Sequence, residues 1–93
     1  MAQNKESLLE NLDTKLKVLI KTRKETLYDG EAVAVTSNNE DGVFDILPHH
    51  ANFITMVKDF VFVKTQNGDQ KFDVKKGVLE VSSNNVTLYL TVT

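Results

Sequence analysis

Apolar and polar residues alternate with period two over most of the chain. In 16–22, Leu16, Val18 and Ile20 share one face while Lys17 and Lys21 take the other. In 86–92, Val86, Leu88, Leu90 and Val92 oppose Thr87, Tyr89 and Thr91. Phe72 and Val74 alternate with Lys71, Asp73 and Lys75, and Leu79 and Val81 with Glu80 and Ser82. Successive side chains of a strand point to opposite faces, so each run predicts a half-buried β-strand. Phe60-Val61-Phe62-Val63 is apolar on both faces. Such a strand is covered twice, once by a facing layer and once by either the N-terminal segment or another protein.

Turn signals cut these strands at short intervals. Asp29-Gly30, Asn67-Gly68 and Lys76-Gly77 are read as tight turns, because glycine accepts positive φ without a Cβ clash. Asn38 to Gly42 reads as a longer polar loop and Ser83-Asn84-Asn85 as a further turn. Many short strands with frequent turns predict an all-β sandwich or barrel. The first fourteen residues differ. Ser7-Leu8-Leu9-Glu10 fits a capping box, and Leu8, Leu9 and Leu12 form one stripe of a short helix. A helix of about two turns is not stable alone, so this segment either docks or frays. The division is an N-terminal extension over 1–15, short helix or disordered, and one β domain over 16–93.

Composition supports that reading. Val, Ile and Thr supply 24 of 93 residues, and their branched Cβ suits extended backbone. A chain of 93 residues allows one small domain. With no Cys, a disulfide scaffold, a thiolate zinc site and a cysteine nucleophile are excluded. A net charge of −2 argues against a general binder of nucleic acid or anionic membrane. Apolar runs are far shorter than the ~20 residues that span a bilayer, and no secretory signal opens the chain. The bare reading is a soluble, intracellular-type domain.

Candidate chemistry is sparse. Asp45, His49 and His50 are the first place to look for a metal or acid–base site. Adjacent strand residues point apart, however, and no second cluster of His or Cys exists, so the expectation is no metal and no catalytic residue. Ser37, Ser82 and Ser83 lack a nucleophile elbow and read as turn or strand-end residues. No phosphate-cradling glycine motif occurs. Lys21, Arg23 and Lys24 read as a solvated turn. A domain of this kind works by presenting a surface.

Three segments carry a family resemblance. Gly42-Val43-Phe44-Asp45-Ile46-Leu47-Pro48-His49-His50-Ala51 matches G-x-[FL]-G-I-[LY]-P-G-H-A at Gly42, Phe44, Ile46, Leu47, Pro48, His50 and Ala51. The run Lys76 to Leu88 matches G-G-x-L-E-V-x-x-n-x-V-T-[VL], and Leu27-Tyr28-Asp29-Gly30-Glu31-Ala32 matches [VL]-[FY]-x-G-E-[AV]. In this order the chain resembles, from Leu16 to Thr93, the N-terminal β-sandwich domain of the epsilon subunit of F-type ATP synthases (delta in mitochondria). Asp45 and His49 stand where the family usually has Gly, which implies strain if the loop keeps glycine-only φ/ψ. Asn52 replaces a common Pro, and Lys76 the first Gly of a pair. The family's C-terminal helical hairpin would follow the last residue, so the chain is expected to represent a form lacking it, naturally or by truncation.

The resemblance implies a flattened sandwich of two roughly five-stranded sheets. It implies a non-catalytic central-stalk rotor subunit that links the gamma subunit to the c-ring during proton-driven ATP synthesis. His50, Ala51 and Pro48 would lie toward gamma, and Gly42, Val43 and Phe44 toward the c-ring. No cofactor is implied, and no ATP binding is expected without the hairpin. The implied setting is a peripheral complex on the cytoplasmic face of the bacterial inner membrane, with no direct membrane insertion and no nucleic-acid partner. Two alternatives stand beside this: a stand-alone protein-binding module of the same fold outside the synthase, and an enzyme or metal protein using Asp45, His49 and His50.

Overall fold

The computed structural model describes residues 15–91, and all seven of the elements in that range are strands. They are β1 (Leu16–Lys21), β2 (Thr26–Ala32), β3 (Ala34–Asn39), β4 (Gly42–Ile46), β5 (Phe53–Thr65), β6 (Gly68–Ser82) and β7 (Asn85–Thr91). The short helix expected around Ser7 to Leu12, and the last position of the final strand, Val92, lie outside the described residues.

The strands form one sheet in the order β2-β1-β7-β6-β5-β3-β4. All neighbours are antiparallel except β1 and β7, which run parallel with Lys17 opposite Asn85 and Lys21 opposite Tyr89. The expected pair of roughly five-stranded sheets is therefore replaced by one continuous seven-stranded ladder. The physical reason lies in β5 and β6. At 13 and 15 residues they are more than twice the usual strand length, so they carry hydrogen bonds unbroken from one half of the sheet to the other.

This sheet is folded over on itself. In a flat sheet β2 would lie about four strand spacings, roughly 19 Å, from β5. Yet Val33 N–H, directly after β2, donates to the Lys64 carbonyl of β5 at 2.8 Å. All seven strands also feed one hydrophobic cluster, from Leu16, Val18 and Ile20 through Val35 and Ile46 to Leu79 and Leu88. Residues at 0 % exposure need cover on the inner face, and with no helix among the described residues the sheet itself supplies it. A bulge between Val57 and Asp59 helps the bend, with Asp59 at φ 72° and its carboxylate accepting from Asn38 Nδ2 at 2.5 Å. Ser37 lies within strand β3, fully buried, rather than at a turn. Its hydroxyl donates to the Phe60 carbonyl beside the bulge at 2.7 Å.

Two of the expected turns are present: Gln66-Asn67 joins β5 to β6, and Ser83-Asn84 joins β6 to β7. The longer loop expected over Asn38 to Gly42 is instead the two-residue turn Glu40-Asp41, because Asn38 and Asn39 stay paired with Val43 and Gly42 in the ladder. Ser83 and Asn84 have φ of 49° and 65°, the pattern of a two-residue hairpin whose twist matches its strands. Asp29-Gly30 and Lys76-Gly77 are not turns; they lie inside β2 and β6. At Gly77 the reason is space. A Cβ there would sit 2.6 Å from Leu90 Cδ2 and 2.7 Å from the Tyr89 carbonyl oxygen, so glycine permits close approach rather than a reversal. The run Lys21, Arg23, Lys24 does sit at the β1–β2 turn, where Thr22 Oγ1 accepts from the Lys24 and Glu25 N–H groups at 3.2 Å each.

Candidate functional site

The β3–β4 hairpin and the segment from Leu47 to Asn52 both pack on Phe53, the first residue of β5. Asn39 shapes the tip: its Oδ1 accepts the Asp41 N–H at 2.8 Å, and its Nδ2 donates to Thr55 Oγ1 at 3.2 Å. Gly42 follows at φ 116°, a conformation that L side chains rarely adopt. Val43 then projects into solvent at 67 % exposure. The next residue, Phe44, turns inward and packs edge-on against Phe53, with ring centroids 5.8 Å apart. The His50 ring lies 5.5 Å from the other partner of this group, again Phe53. Phe53 thus ties the two segments together through aromatic contacts of about 0.5–1.5 kcal/mol each.

The loop itself is held by the β6–β7 turn. His49 N–H donates to Asn84 Oδ1 at 2.6 Å, and Ser83 N–H donates to Asn52 Oδ1 at 3.3 Å. Pro48 occupies a turn closed by His50 N–H donating to the Leu47 carbonyl at 3.1 Å, and His50 Nδ1 lies 2.7 Å from the Ala51 carbonyl. His49 sits at φ 71°, so the left-handed conformation is kept without glycine. Histidine is among the side chains that tolerate this region better than most. Asp45 needs no such allowance, since it lies in β4 and its Oδ1 accepts from Thr36 Oγ1 at 2.5 Å.

Of the two predicted groups, Gly42–Phe44 and Pro48–Ala51, Phe44 and His50 meet through Phe53, while Val43 projects to solvent from the other side of β4. The triad Asp45, His49 and His50 is not assembled. Asp45 is engaged by Thr36, His49 is exposed and His50 leans on Phe53. Among the described residues no three His, Asp or Glu side chains gather as metal ligands.

A second surface was not singled out by the sequence reading. Met56, Val78 and Tyr89 are directly opposed across β5, β6 and β7, and Ile54 is two residues along on the same face. All four are exposed, at 59 %, 38 %, 54 % and 64 %. Lys21 reaches over the Tyr89 ring at 5.9 Å. Beside this strip a shallow depression of about 440 Å³ lies over β1, β2 and β7, lined by Leu19, Lys17, Asp29 and Thr87 among others. The signal was present in the sequence as apolar residues at both parities of β5 and β6.

The chain can now be set beside known proteins. Residues 15–91 match the family described as "ATP synthase, Delta/Epsilon chain, beta-sandwich domain". The chain belongs to this family. Among similar relatives is the ATP synthase epsilon chain of Sulfurimonas denitrificans, 33 % identical over 76 residues, 78 % of this chain and 58 % of that one. The epsilon chain of Psychrobacter arcticus is 36 % identical over 75 residues, 78 % of this chain and 54 % of that one. The epsilon chain of Xanthomonas euvesicatoria is 39 % identical over 72 residues, 75 % and 51 % of the two chains. This epsilon-type chain spans about half the length of those relatives, 51 % to 58 %.

Solved structures agree on the fold. A chain in a mitochondrial ATP synthase structure of Euglena gracilis, covering OSCP, F1 and c-ring, superposes with a TM-score of 0.78 at 14 % identity, over 86 % of this chain and 52 % of that one. A chain from the central stalk and c-ring structure of the Tetrahymena thermophila mitochondrial enzyme gives 0.70 at 13 % identity, over 84 % and 64 %.

Proposed function

We propose that the chain is the β body of an epsilon-type subunit in the central stalk of an F-type ATP synthase. It performs no bond chemistry and holds the gamma subunit and the c-ring in register while the rotor turns. The observation that carries this reading is the packing of Phe44 and His50 on Phe53, which links the Gly42–Phe44 hairpin arm to the Pro48–Ala51 segment, in a chain of this family. The exposed Val43 at the hairpin tip, with Gly42 and Phe44 setting its projection, suits contact with the polar loops of a c-ring. Pro48, His50 and Ala51, braced from below by Asn84 and Asn52, suit contact with gamma. Both roles require rigidity and shape complementarity more than reactivity.

The curled sheet is read as two facing layers, in keeping with the family's description. The complex would be peripheral, on the cytoplasmic face of a bacterial inner membrane, and this β body binds no ATP by itself.

Co-expression with the gamma subunit of the same organism tests the reading. A one-to-one complex should survive gel filtration, and His50→Ala combined with Ala51→Asp should weaken it while the isolated chain keeps its far-UV circular dichroism and loses only about the 0.5–1.5 kcal/mol of the His50–Phe53 contact. Failure to form any complex, with the chain folded, would refute the assignment.

A further inference from the structure

The outer face of β5, β6 and β7 carries Ile54, Met56, Val78 and Tyr89 side by side, all exposed, and among the described residues no layer covers them. Apolar side chains gathered in one exposed patch mark a contact surface. We infer that this face is self-complementary: two copies of the chain pair through it about a two-fold axis, sheet against sheet, with Glu80 of each copy set against Lys76 of the other.

The charge pattern selects this occupant. The outward residues of β6 run Lys76, Val78, Glu80, and all three are exposed. Here β6 keeps its register with β7, Lys76 opposite Thr91, Val78 opposite Tyr89 and Glu80 opposite Thr87, so the three side chains share one face. Val78 is thus flanked, about 7 Å away along the strand, by a cation on one side and an anion on the other. Among the described residues neither Lys76 nor Glu80 forms an ion pair.

Opposite charges placed evenly about a centre complement a copy of themselves. In a two-fold pair, if one residue meets a second, the second also meets the first. Rotation about an axis that lies in the interface and runs across the strands lays β6 antiparallel over its copy. Val78 then meets Val78, Glu80 meets Lys76 and Lys76 meets Glu80. Rotation about an axis along the strands would instead put Glu80 on Glu80 and Lys76 on Lys76, and like charges brought together oppose association. The first arrangement also lays Tyr89 and Met56, which stand in the same row as Val78, on their own copies. Lys21 closes that row over the Tyr89 ring, so it meets its own copy only at the rim, where solvent screens the repulsion. Aligned sheets pack about 10 Å apart, a gap that side chains of this size fill from both sides.

The size of the face sets the strength. It spans three strand spacings from β1 to β5 and four residues along β6, about 14 Å each way. Two copies bury less than the roughly 1,600 Å² of a standard stable interface, so the pair is a concentration-dependent dimer and not an obligate one. None of the residues assigned above to gamma or to the c-ring belongs to this face, so self-pairing and the central-stalk reading stand or fall separately.

Sedimentation equilibrium of the full chain, at concentrations up to about 1 mM, is the test. The weight-average mass should rise with concentration from that of one chain toward that of two. Glu80→Lys leaves a cation on each side of Val78, and Lys76→Glu leaves an anion on each side. Each variant alone should pair about tenfold more weakly, because both ion pairs of the dimer become repulsive. Mixing the two variants in equal amounts should restore pairing, since every cation then faces an anion, and so should exchanging both residues within one chain. Restoration on mixing also shows that both variants are folded. A chain that stays monomeric throughout, single variants that pair as well as the unaltered chain, or a mixture that pairs no better than its components would each overturn the inference.

Discussion

Replacing Gly77 with Ala tests how tightly β6 and β7 are pressed together. The added methyl would stand 2.6 Å from Leu90 Cδ2 and 2.7 Å from the Tyr89 carbonyl oxygen. Ordinary contacts lie near 3.5–4 Å, so each neighbour must retreat by about 1 Å. Leu90 can turn its flexible end aside, but it is 5 % exposed and has little room. The Tyr89 carbonyl belongs to the backbone of β7 and moves only if the strand moves. Overpacking of this kind costs about 1–3 kcal/mol. Glycine also has the greater freedom when unfolded, which returns up to about 1 kcal/mol to the alanine variant. The net expectation is a loss of about 1–2 kcal/mol. With a urea m-value of about 1 kcal/mol/M for a domain of this size, the midpoint should fall by about 1–2 M. Equilibrium urea unfolding followed by far-UV circular dichroism reads this directly. A Gly42→Ala variant is the control: nothing lies within 4 Å of its Cβ, but φ is +116°, so its cost comes from backbone strain alone. A Gly77→Ala midpoint equal to that of the unaltered chain would refute the close-approach argument and return Gly77 to a simple matter of strand propensity.

Leu88→Ala should destabilise by about 2–5 kcal/mol, because Leu88 is at 0 % exposure in the middle of the core; urea unfolding checks it. Ser37→Ala strands the Phe60 carbonyl at the bulge and should cost about 1–3 kcal/mol, with faster hydrogen exchange in the Val57–Val61 stretch of β5. His49→Gly relieves a left-handed side chain at φ 71° and should raise the thermal midpoint slightly, by roughly 0.5–1 kcal/mol of stability, while leaving the Asn84 contact to its backbone N–H intact. Phe53→Leu removes both ring contacts and some volume; it should cost about 1–3 kcal/mol and shift the Phe44 and His50 NMR signals.

Strand identity was legible because burial has period two. Leu16, Val18 and Ile20, and likewise Val86, Leu88 and Leu90, are buried as their alternation predicts. Motif spacing singled out Gly42–Phe44 and Pro48–Ala51 as separate contact groups but gave no sign that Phe44 and His50 share Phe53, because that contact depends on how the chain after β4 returns to β5. Glycine was the weak guide. Asp29-Gly30 and Lys76-Gly77 carry the same local signal as Asn67-Gly68, but glycine serves for clearance in two of these places and for positive φ in the third. At Gly30 a Cβ would meet Tyr28 Oη at 3.3 Å, and that hydroxyl is fixed by donating to the Glu31 carbonyl at 2.6 Å. Local sequence does not distinguish a missing Cβ that makes a turn from one that makes room.

The sheet count failed for a related reason. Alternation reports which face a residue takes, but not where a strand stops when no turn residue interrupts it. Once Gly77 is seen as clearance, β6 continues through it, and β5 continues through the Lys58 bulge without losing its partner. Two long strands then carry one ladder around the core where two sheets were expected. The same continuity exposes the apolar strip. Met56, Val78 and Tyr89 lie on the outer side of the shared part of β5, β6 and β7, and among the described residues no layer covers them. Alternation alone could not have told them from core positions, because β5 and β6 carry apolar residues at both parities and only the curl of the sheet decides which parity faces inward.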